Sequence, residues 1–284
     1  MNKILIINKP KGLTSRDVVN IIGKKFNTKK VGHAGTLDPL ATGVLVICIN
    51  KATSLVDLLS GYKTYKANAT LGIETDTLDI EGKILKEENI DISDKDIRNC
   101  INNFIGKYNQ MVPLYSATKI NGKKLYEYAR KNIEVELPSK EVDIKNIKLL
   151  SIKRNNNKIE IEFICEVSKG TYIRSLIKDI ASKLGTVGIM TDLVRISQGK
   201  YKIEDSYTLE DIEKDNYKLV DITDIDINKE IVDIEKEQKI RYGQIIEKTF
   251  NGDLIMYLNS NKEAIAIYKT YDKDKTKVKP YKMF

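Results

Sequence analysis

The segment 32–43 constrains the fold more than any other part of this chain. It reads Gly-His-Ala-Gly-Thr-Leu-Asp-Pro-Leu-Ala-Thr-Gly, and its three glycines permit backbone conformations that other residues resist. Pro39 holds Asp38 toward an extended conformation, because the proline ring crowds the preceding residue. The apolar run 44–49 follows directly and is typical of a buried strand. We therefore expect a stiff loop that presents one carboxylate, either as a nucleophile or general base or as a simple turn residue.

Short apolar stretches and capped helical segments alternate along the rest of the chain. The predicted strands are 3–8, 64–71, 142–152, 158–167, 190–196, 254–258 and 264–268. The predicted helices are 17–26 (capped by Thr14 or Ser15), 53–59, 93–105, 124–131, 171–184 and a short one near Leu209. Turns are expected at 153–157 and at Asn251-Gly252, and 30–43 is expected to be a loop. This pattern predicts an α+β fold with a small β-rich domain at the C-terminal end.

Length and composition exclude several classes of protein. The 284 residues suggest two domains at about 150 residues each, and 41% hydrophobic residues suffice for a core. The longest apolar runs, 4–7 and 44–49, are far shorter than the roughly 20 residues of a membrane span, and the N-terminus does not resemble a secretory signal. The three cysteines, at positions 48, 100 and 165, are too few and too dispersed for a disulfide framework or a Cys-x-x-Cys metal site. We expect a cytoplasmic protein without a membrane segment.

The charge is unevenly distributed. The net charge of +8 divides into +11 over residues 1–204, −8 over 205–237 and +5 over 238–284. Two basic blocks separated by an acidic connector favour a polyanionic partner that contacts the basic blocks, although compositional drift would give a similar pattern.

Further motifs accompany the glycine-rich segment. They are Asn8-Lys9-Pro10-x-Gly12-x-Thr14-Ser15, Tyr-Lys-x-x-Ala-x-Leu-Gly at 65–72, Val112-Pro113-x-x-Ser116-Ala117-x-Lys119, Gly-Lys-Lys-Leu-Tyr-Glu-Tyr-Ala-Arg at 122–130, and Ser-Lys-Gly-Thr-Tyr-Ile-Arg-Ser-Leu at 168–176. Their order and spacing over residues 3–212 resemble the bacterial TruB-type tRNA pseudouridine synthases. Those enzymes convert a uridine in the TΨC loop of tRNA, position 55, to pseudouridine.

The resemblance implies three catalytic residues. Asp38 matches the catalytic aspartate, which attacks either ribose C1′ or the uracil ring. Arg174 matches the arginine that pairs with it, and a cation within about 4–6 Å favours the charged form of a carboxylate. Tyr65 matches the tyrosine that stacks on the target base and takes part in proton transfer at C5.

The resemblance also implies residues that bind the substrate. His33, the single histidine in the chain, matches a residue that holds the target nucleotide out of the stack. Lys9 would brace the catalytic loop, and Tyr172 would pack under the site or bond a neighbouring group. Leu193 would lie against the flipped base, although it could equally be a core residue. An RNA-contacting insertion over about 107–140 contributes the basic residues Lys119, Lys123, Lys124 and Arg130, for which a solvated helix face is the alternative.

The family's architecture predicts two domains. Residues 1–225 would form a catalytic domain of the pseudouridine-synthase type, with a mixed, mainly antiparallel sheet and flanking helices. Residues 226–284 would form a small PUA-like RNA-binding domain. We expect a monomer that binds the T-arm stem-loop of tRNA without a cofactor, a metal or an obligate protein partner. A non-catalytic RNA-binding or RNA-folding protein is the alternative, but such a protein has no need of a carboxylate that repels phosphate.

Overall fold

A computed structural model describes residues 2–155 and 157–284, in which β-strands are the most abundant regular structure. The strands up to residue 221 are β1 (Lys3–Lys9), β2 (Val31–His33), β3 (Thr42–Ile49), β4 (Lys63–Leu71), β5 (Ile73–Thr75), β6 (Ile84–Glu87), β7 (Gly106–Met111), β8 (Lys119–Ile120), β9 (Lys123–Lys124), β10 (Ser139–Asn155), β11 (Lys158–Val167), β12 (Gly188–Gln198), β13 (Tyr201–Lys202) and β14 (Val220–Asp221). The later strands are β15 (Asn228–Ile231), β16 (Ile246–Glu247), β17 (Leu254–Leu258), β18 (Ala264–Tyr271) and β19 (Asp274–Met283).

The α-helices of the described residues are α1 (Ser15–Lys25), α2 (Asp94–Asn102), α3 (Leu125–Arg130), α4 (Ile173–Lys183), α5 (Leu209–Glu213) and α6 (Ile234–Arg241). Short 3₁₀ helices cover Asn50–Leu55, Ile203–Asp205 and Ile222–Asp224. Helix α1 begins directly after Thr14, one of the two caps predicted for it, because the Thr14 hydroxyl accepts a hydrogen bond from the Asp17 amide and the Asp17 carboxylate accepts one from the Thr14 amide.

The larger sheet places its strands in the order β14-β1-β3-β12-β4-β11-β10-β7, with β2 added to β3 and β13 to β12. Among the described residues, its pairs are antiparallel except β3 with β12, which run parallel through Thr42–Val194 and Gly43–Arg195. Gly43 has φ +98°, and a Cβ there would lie 2.3 Å from the Arg195 carbonyl oxygen. Glycine is therefore required where the glycine-rich loop enters the sheet. The predicted mixed, mainly antiparallel sheet with flanking helices is confirmed.

Different parts of the chain pack on the two faces of this sheet. Strand alternation sends Leu5 and Ile7 of β1 to one face, where they belong to a core that also contains residues of α1 and α4. Ile4 and Ile6 point to the other face, where they share a core with Met256, Leu258 and Ile267. That second core joins the large sheet to a C-terminal sheet ordered β15-β17-β18-β19-β16. The C-terminal sheet is thus packed on the larger sheet through an apolar interface.

Two local predictions differ from the structure. The helix predicted at 53–59 is wrong, since a 3₁₀ helix at Asn50–Leu55 takes its place. Residues 31–33, expected in a loop, form β2 because their backbone pairs with Cys48 and its neighbours on β3. The turn expected at Asn251-Gly252 lies in a bend that precedes β17. Of the turn expected at 153–157, Asn156 lies outside the described residues.

None of the helices within residues 2–155 and 157–284 combines the length and the hydrophobicity that a membrane span requires.

Candidate active site

A cavity of about 270 Å³ lies where the glycine-rich loop, the start of α4 and the strands β4 and β12 meet. It is lined by Gly35, Thr36, Leu37, Asp38, Ser60, Lys63, Tyr65, Ser116, Ala117, Ser168, Lys169, Gly170, Thr171, Tyr172, Ile173, Arg174, Met190 and Leu193. Five of the residues singled out by the sequence, at positions 38, 65, 172, 174 and 193, therefore share one cavity.

Asp38 and Arg174 form an ion pair at this cavity. Nε of Arg174 donates a hydrogen bond of 2.9 Å to Oδ2 of Asp38. The arginine side chain is 5% exposed, whereas that of Asp38 is 37% exposed. The pair thus has a buried cation and an accessible carboxylate, which is the arrangement that a reacting carboxylate needs.

The remaining donors of Arg174 are also used. Nη1 donates to the Thr77 carbonyl at 2.9 Å and Nη2 to the Tyr115 carbonyl at 3.0 Å. Oδ2 of a second carboxylate, that of Asp79, lies 4.0 Å from Nε of Arg174. Because three acceptors fix the plane of the guanidinium, its orientation toward Asp38 is determined by the backbone around it. The sequence offered no signal for Asp79, which lies in a polar turn.

The loop that carries Asp38 is anchored on both sides. The Ser15 hydroxyl accepts a bond from the Leu37 amide at 2.8 Å and donates one to the Leu37 carbonyl at 3.1 Å. Lys9 is fully buried, and its Nζ donates to the carbonyls of Pro10 and Leu13 at 2.8 and 2.6 Å and of Pro39 at 3.4 Å. Burial lowers the pKa of Lys9 to about 8, and the Asp38 charge opposes that shift. The contact with Pro39 agrees with the bracing role expected for Lys9.

Tyr65 is the third residue of β4; it lines the cavity and is 6% exposed. Its hydroxyl accepts a 3.4 Å bond from Nη1 of Arg195, whose guanidinium lies 6.0 Å from the ring centre. Arg195 is fully buried and also donates to the carbonyls of Val44, Gly35 and Thr36 at 2.6, 3.0 and 3.3 Å. This arginine ties the glycine-rich loop to Tyr65. Sequence reasoning missed it, since a lone arginine in a strand is usually a surface residue.

Of the other residues predicted for the site, Tyr172 and Leu193 line the cavity and His33 does not. Tyr172 donates or accepts a 3.0 Å hydrogen bond with Thr118, and the Gln110 side chain bonds both its backbone amide and its carbonyl. Leu193, 5% exposed, lines the cavity from β12. His33 belongs to β2 and is not a lining residue; its Nδ1 is buried without a described hydrogen-bond partner, and burial, followed by Arg16 and Arg195, lowers its pKa.

The four basic residues predicted to contact RNA lie outside the cavity, on the hairpin β8–β9 and on α3. Lys119, Lys123 and Arg130 are exposed and Lys124 is half-buried. The Lys124 and Arg130 cations both lie 5.3 Å from the centre of the Tyr126 ring. The cluster is a cationic, aromatic surface beside the site, and its RNA contacts stay a prediction.

The described residues contain no group of three or more His, Cys, Asp or Glu side chains that could hold a metal ion. The site's own reactive groups are one accessible carboxylate, a buried cation beside it and a phenol nearby.

Two family models match the chain. Residues 23–173 match the TruB family pseudouridylate synthase (N terminal domain), and residues 174–234 match the tRNA pseudouridylate synthase B C-terminal domain. The chain is 42% identical over 275 residues to the tRNA pseudouridine synthase B of Mesoplasma florum, which covers 95% of this chain and 94% of that protein. It is 48% identical over 214 residues to the protein of that name from Alkaliphilus oremlandii, covering 75% and 70% of the two chains.

Solved structures agree on the fold. One chain of a Cbf5–Nop10–Gar1 complex superimposes with a TM-score of 0.71 at 24% identity, over 99% of this chain and 83% of that chain. One chain of an H/ACA RNP bound to a substrate RNA containing 2′-deoxyuridine gives the same score and identity, over 99% and 84%. The first family model alone spans more than half of the sequence, and its match includes the loop of Asp38 and ends one residue before Arg174. The chain belongs to the TruB family of pseudouridylate synthases.

Proposed function

We propose that this chain isomerises uridine to pseudouridine in tRNA, at position 55 of the TΨC loop, with Asp38 as the catalytic carboxylate. The observation that carries the proposal is the accessible Asp38 carboxylate, 2.9 Å from the buried Arg174 and open to a cavity, in a chain of this family. The tRNA substrate is supported by relatives named tRNA pseudouridine synthase B.

The reaction conserves every atom of the nucleotide. The bond from ribose C1′ to N1 of uracil breaks, the base turns, and a bond from C1′ to C5 forms. C5 loses a proton and N1 gains one, so neither an oxidant nor a hydride donor is required. Asp38 would either attack C1′ as N1 departs or add to the uracil ring, and in both routes it leaves again as a carboxylate.

Tyr65 and Leu193 would hold the extruded base. They lie on neighbouring strands, β4 and β12, and both form walls of the cavity while being almost fully buried. Enzymes that act on a flipped base commonly stack it between aromatic and apolar side chains. The Tyr65 hydroxyl would also stand close to C5, where it can take part in proton transfer. His33 would act on the RNA outside the cavity.

The T-arm stem-loop would approach over the hairpin β8–β9 and α3, where Lys119, Lys123, Lys124 and Arg130 can contact phosphates. We propose a monomeric enzyme without an obligate protein partner, with a catalytic domain at 1–225 and a PUA-like module at 226–284. We also propose a cytoplasmic location, with which three free, buried cysteines are compatible.

Tritium release tests the reaction. A T-arm stem-loop that carries ³H at C5 of the target uridine should release tritium to water with the wild-type protein, because C5 loses its hydrogen. The Asp38→Asn variant should release none. The surface variant Asp215→Asn is the matched control and should behave as wild type. Release at the wild-type rate by Asp38→Asn would refute the assignment of Asp38.

A further inference from the structure

The cavity lining includes a cationic group that the proposed isomerisation does not use. Lys63 begins β4, two residues before Tyr65, so that both side chains point to the same face of the strand. The residue is 7% exposed and lines the cavity. Gly35 leaves room for it, since a Cβ at that position would lie 3.1 Å from Cε of Lys63.

The ammonium of Lys63 is poorly satisfied. Within the described residues, the one hydrogen bond that its Nζ donates is a long contact of 3.4 Å to the Ser60 carbonyl. An ammonium has three donors, and a buried cation without partners is costly. The pKa of Lys63 is lowered to about 8 by burial first, and then by Arg195, Lys169 and Lys140.

Those neighbours make the surroundings of Lys63 strongly positive. Lys169 lines the cavity, and the Lys140 side chain lies over Gly170, where a Cβ would collide with it. In the described part of the chain, neither Lys63 nor Lys140 has a carboxylate within 4.0 Å, and Lys169 meets only Asp57, at 3.3 Å between two exposed side chains. A folded protein gains nothing from this mutual repulsion unless an anion is bound there.

We infer that Lys63, assisted by Lys169 and Lys140, forms a subsite for the phosphodiester that flanks the extruded uridine. The inference rests on the proposed function, because that substrate brings a phosphate on each side of its target base into the cavity mouth. A phosphate there would accept the free donors of Lys63 and offset the repulsion among the three lysines. It would also fix the sugar, so that C1′ is held in front of Asp38.

The test compares a charged with a neutral linkage. T-arm stem-loops carry a single methylphosphonate either 5′ or 3′ of the target uridine, and their Kd is measured with Asp38→Asn protein, so that binding is judged independently of turnover. At one of these linkages, neutralisation should weaken binding by about 10- to 100-fold. Adding Lys63→Met should cause the same loss on the all-phosphate RNA, and little further loss on the neutral one.

Two control variants distinguish an effect specific to Lys63 from a general loss of positive charge. Lys63→Arg should retain most of the affinity, and Lys148→Met, which removes an exposed lysine of the same sheet, should not couple to either linkage. The charged and neutral RNAs are also compared on protein that retains Lys63, so this part of the test does not depend on whether the Lys63→Met variant folds. Equal losses from Lys63→Met on charged and neutral RNA, or indifference to both linkages, would overturn the subsite. Failure of the wild type to release tritium would instead overturn the proposed isomerisation.

Discussion

Replacing Arg174 by alanine removes the cation from the centre of the site. The guanidinium donates to Asp38 at 2.9 Å and to the carbonyls of Thr77 and Tyr115 at 2.9 and 3.0 Å. Breaking a fully buried ion pair costs about 3–5 kcal/mol. Asp38 is 37% exposed, however, so water screens part of the interaction, and the roughly 1.5–3 kcal/mol of a hydrogen bond to a charged group is the better figure.

A loss of that size in the stabilisation of the reacting carboxylate corresponds to a turnover lower by about 10- to 150-fold. Single-turnover tritium release from the stem-loop measures it without interference from product release. Arg174→Lys should lie between wild type and alanine, because lysine keeps the charge but cannot bridge three acceptors. Free guanidinium ions should restore part of the alanine variant's activity.

Arg154→Ala is the matched control. Its guanidinium also donates to a carboxylate, that of Asp94 at 2.8 Å, and to a carbonyl, that of Ile92 at 2.7 Å, but it is exposed. Such a pair contributes about 0–1 kcal/mol, and turnover should not change. A folded Arg174→Ala protein with turnover within about threefold of wild type would refute the role assigned to the pair.

Three further predictions concern affinity, pH and the C-terminal sheet. Asp38→Asn should bind tRNA as tightly as wild type or more tightly, because it removes a negative charge that faces phosphates; a filter-binding Kd several-fold weaker would contradict this. The folded-state pKa of Lys63, about 8, lies below its ordinary 10.5, so the unfolded chain binds more protons between those values. The unfolding free energy of wild type should therefore rise relative to Lys63→Met as the pH increases from 8 to 10.5, and a flat difference in urea titrations would rule this out. Deleting 226–284 uncovers the core that Met256, Leu258 and Ile267 share with the large sheet, so the truncated protein should lose more than about 5 kcal/mol of stability or be insoluble; an unchanged Tm would argue otherwise.

Local signals in the sequence predicted several elements well. Thr14 and Asp17 form a capping box, and α1 begins at Ser15 accordingly. The apolar runs at the start of β1 and in β3 are buried on both faces, as continuous apolar strands should be. The resemblance, and not periodicity, suggested that Arg174 lies beside Asp38, since 136 residues separate them in the chain.

The features that sequence reasoning missed depend on distant backbone. Arg195 is buried because β12 runs parallel to β3, which brings the carbonyls of Val44 and Gly35 within reach of its guanidinium. No local pattern distinguishes it from a surface arginine. Lys63 was missed for a similar reason, as its burial depends on the space that Gly35 leaves. Strand β2 formed from a segment expected to be a loop because β3 offered an edge to pair with.

The most direct test of the central claim is chemical mapping of pseudouridine in unmodified tRNA incubated with this protein. We expect one new pseudouridine, at position 55 of the T-loop, with wild-type protein, and none with Asp38→Asn. Modification at a different position, no modification by the wild type, or an equal yield from Asp38→Asn would contradict it.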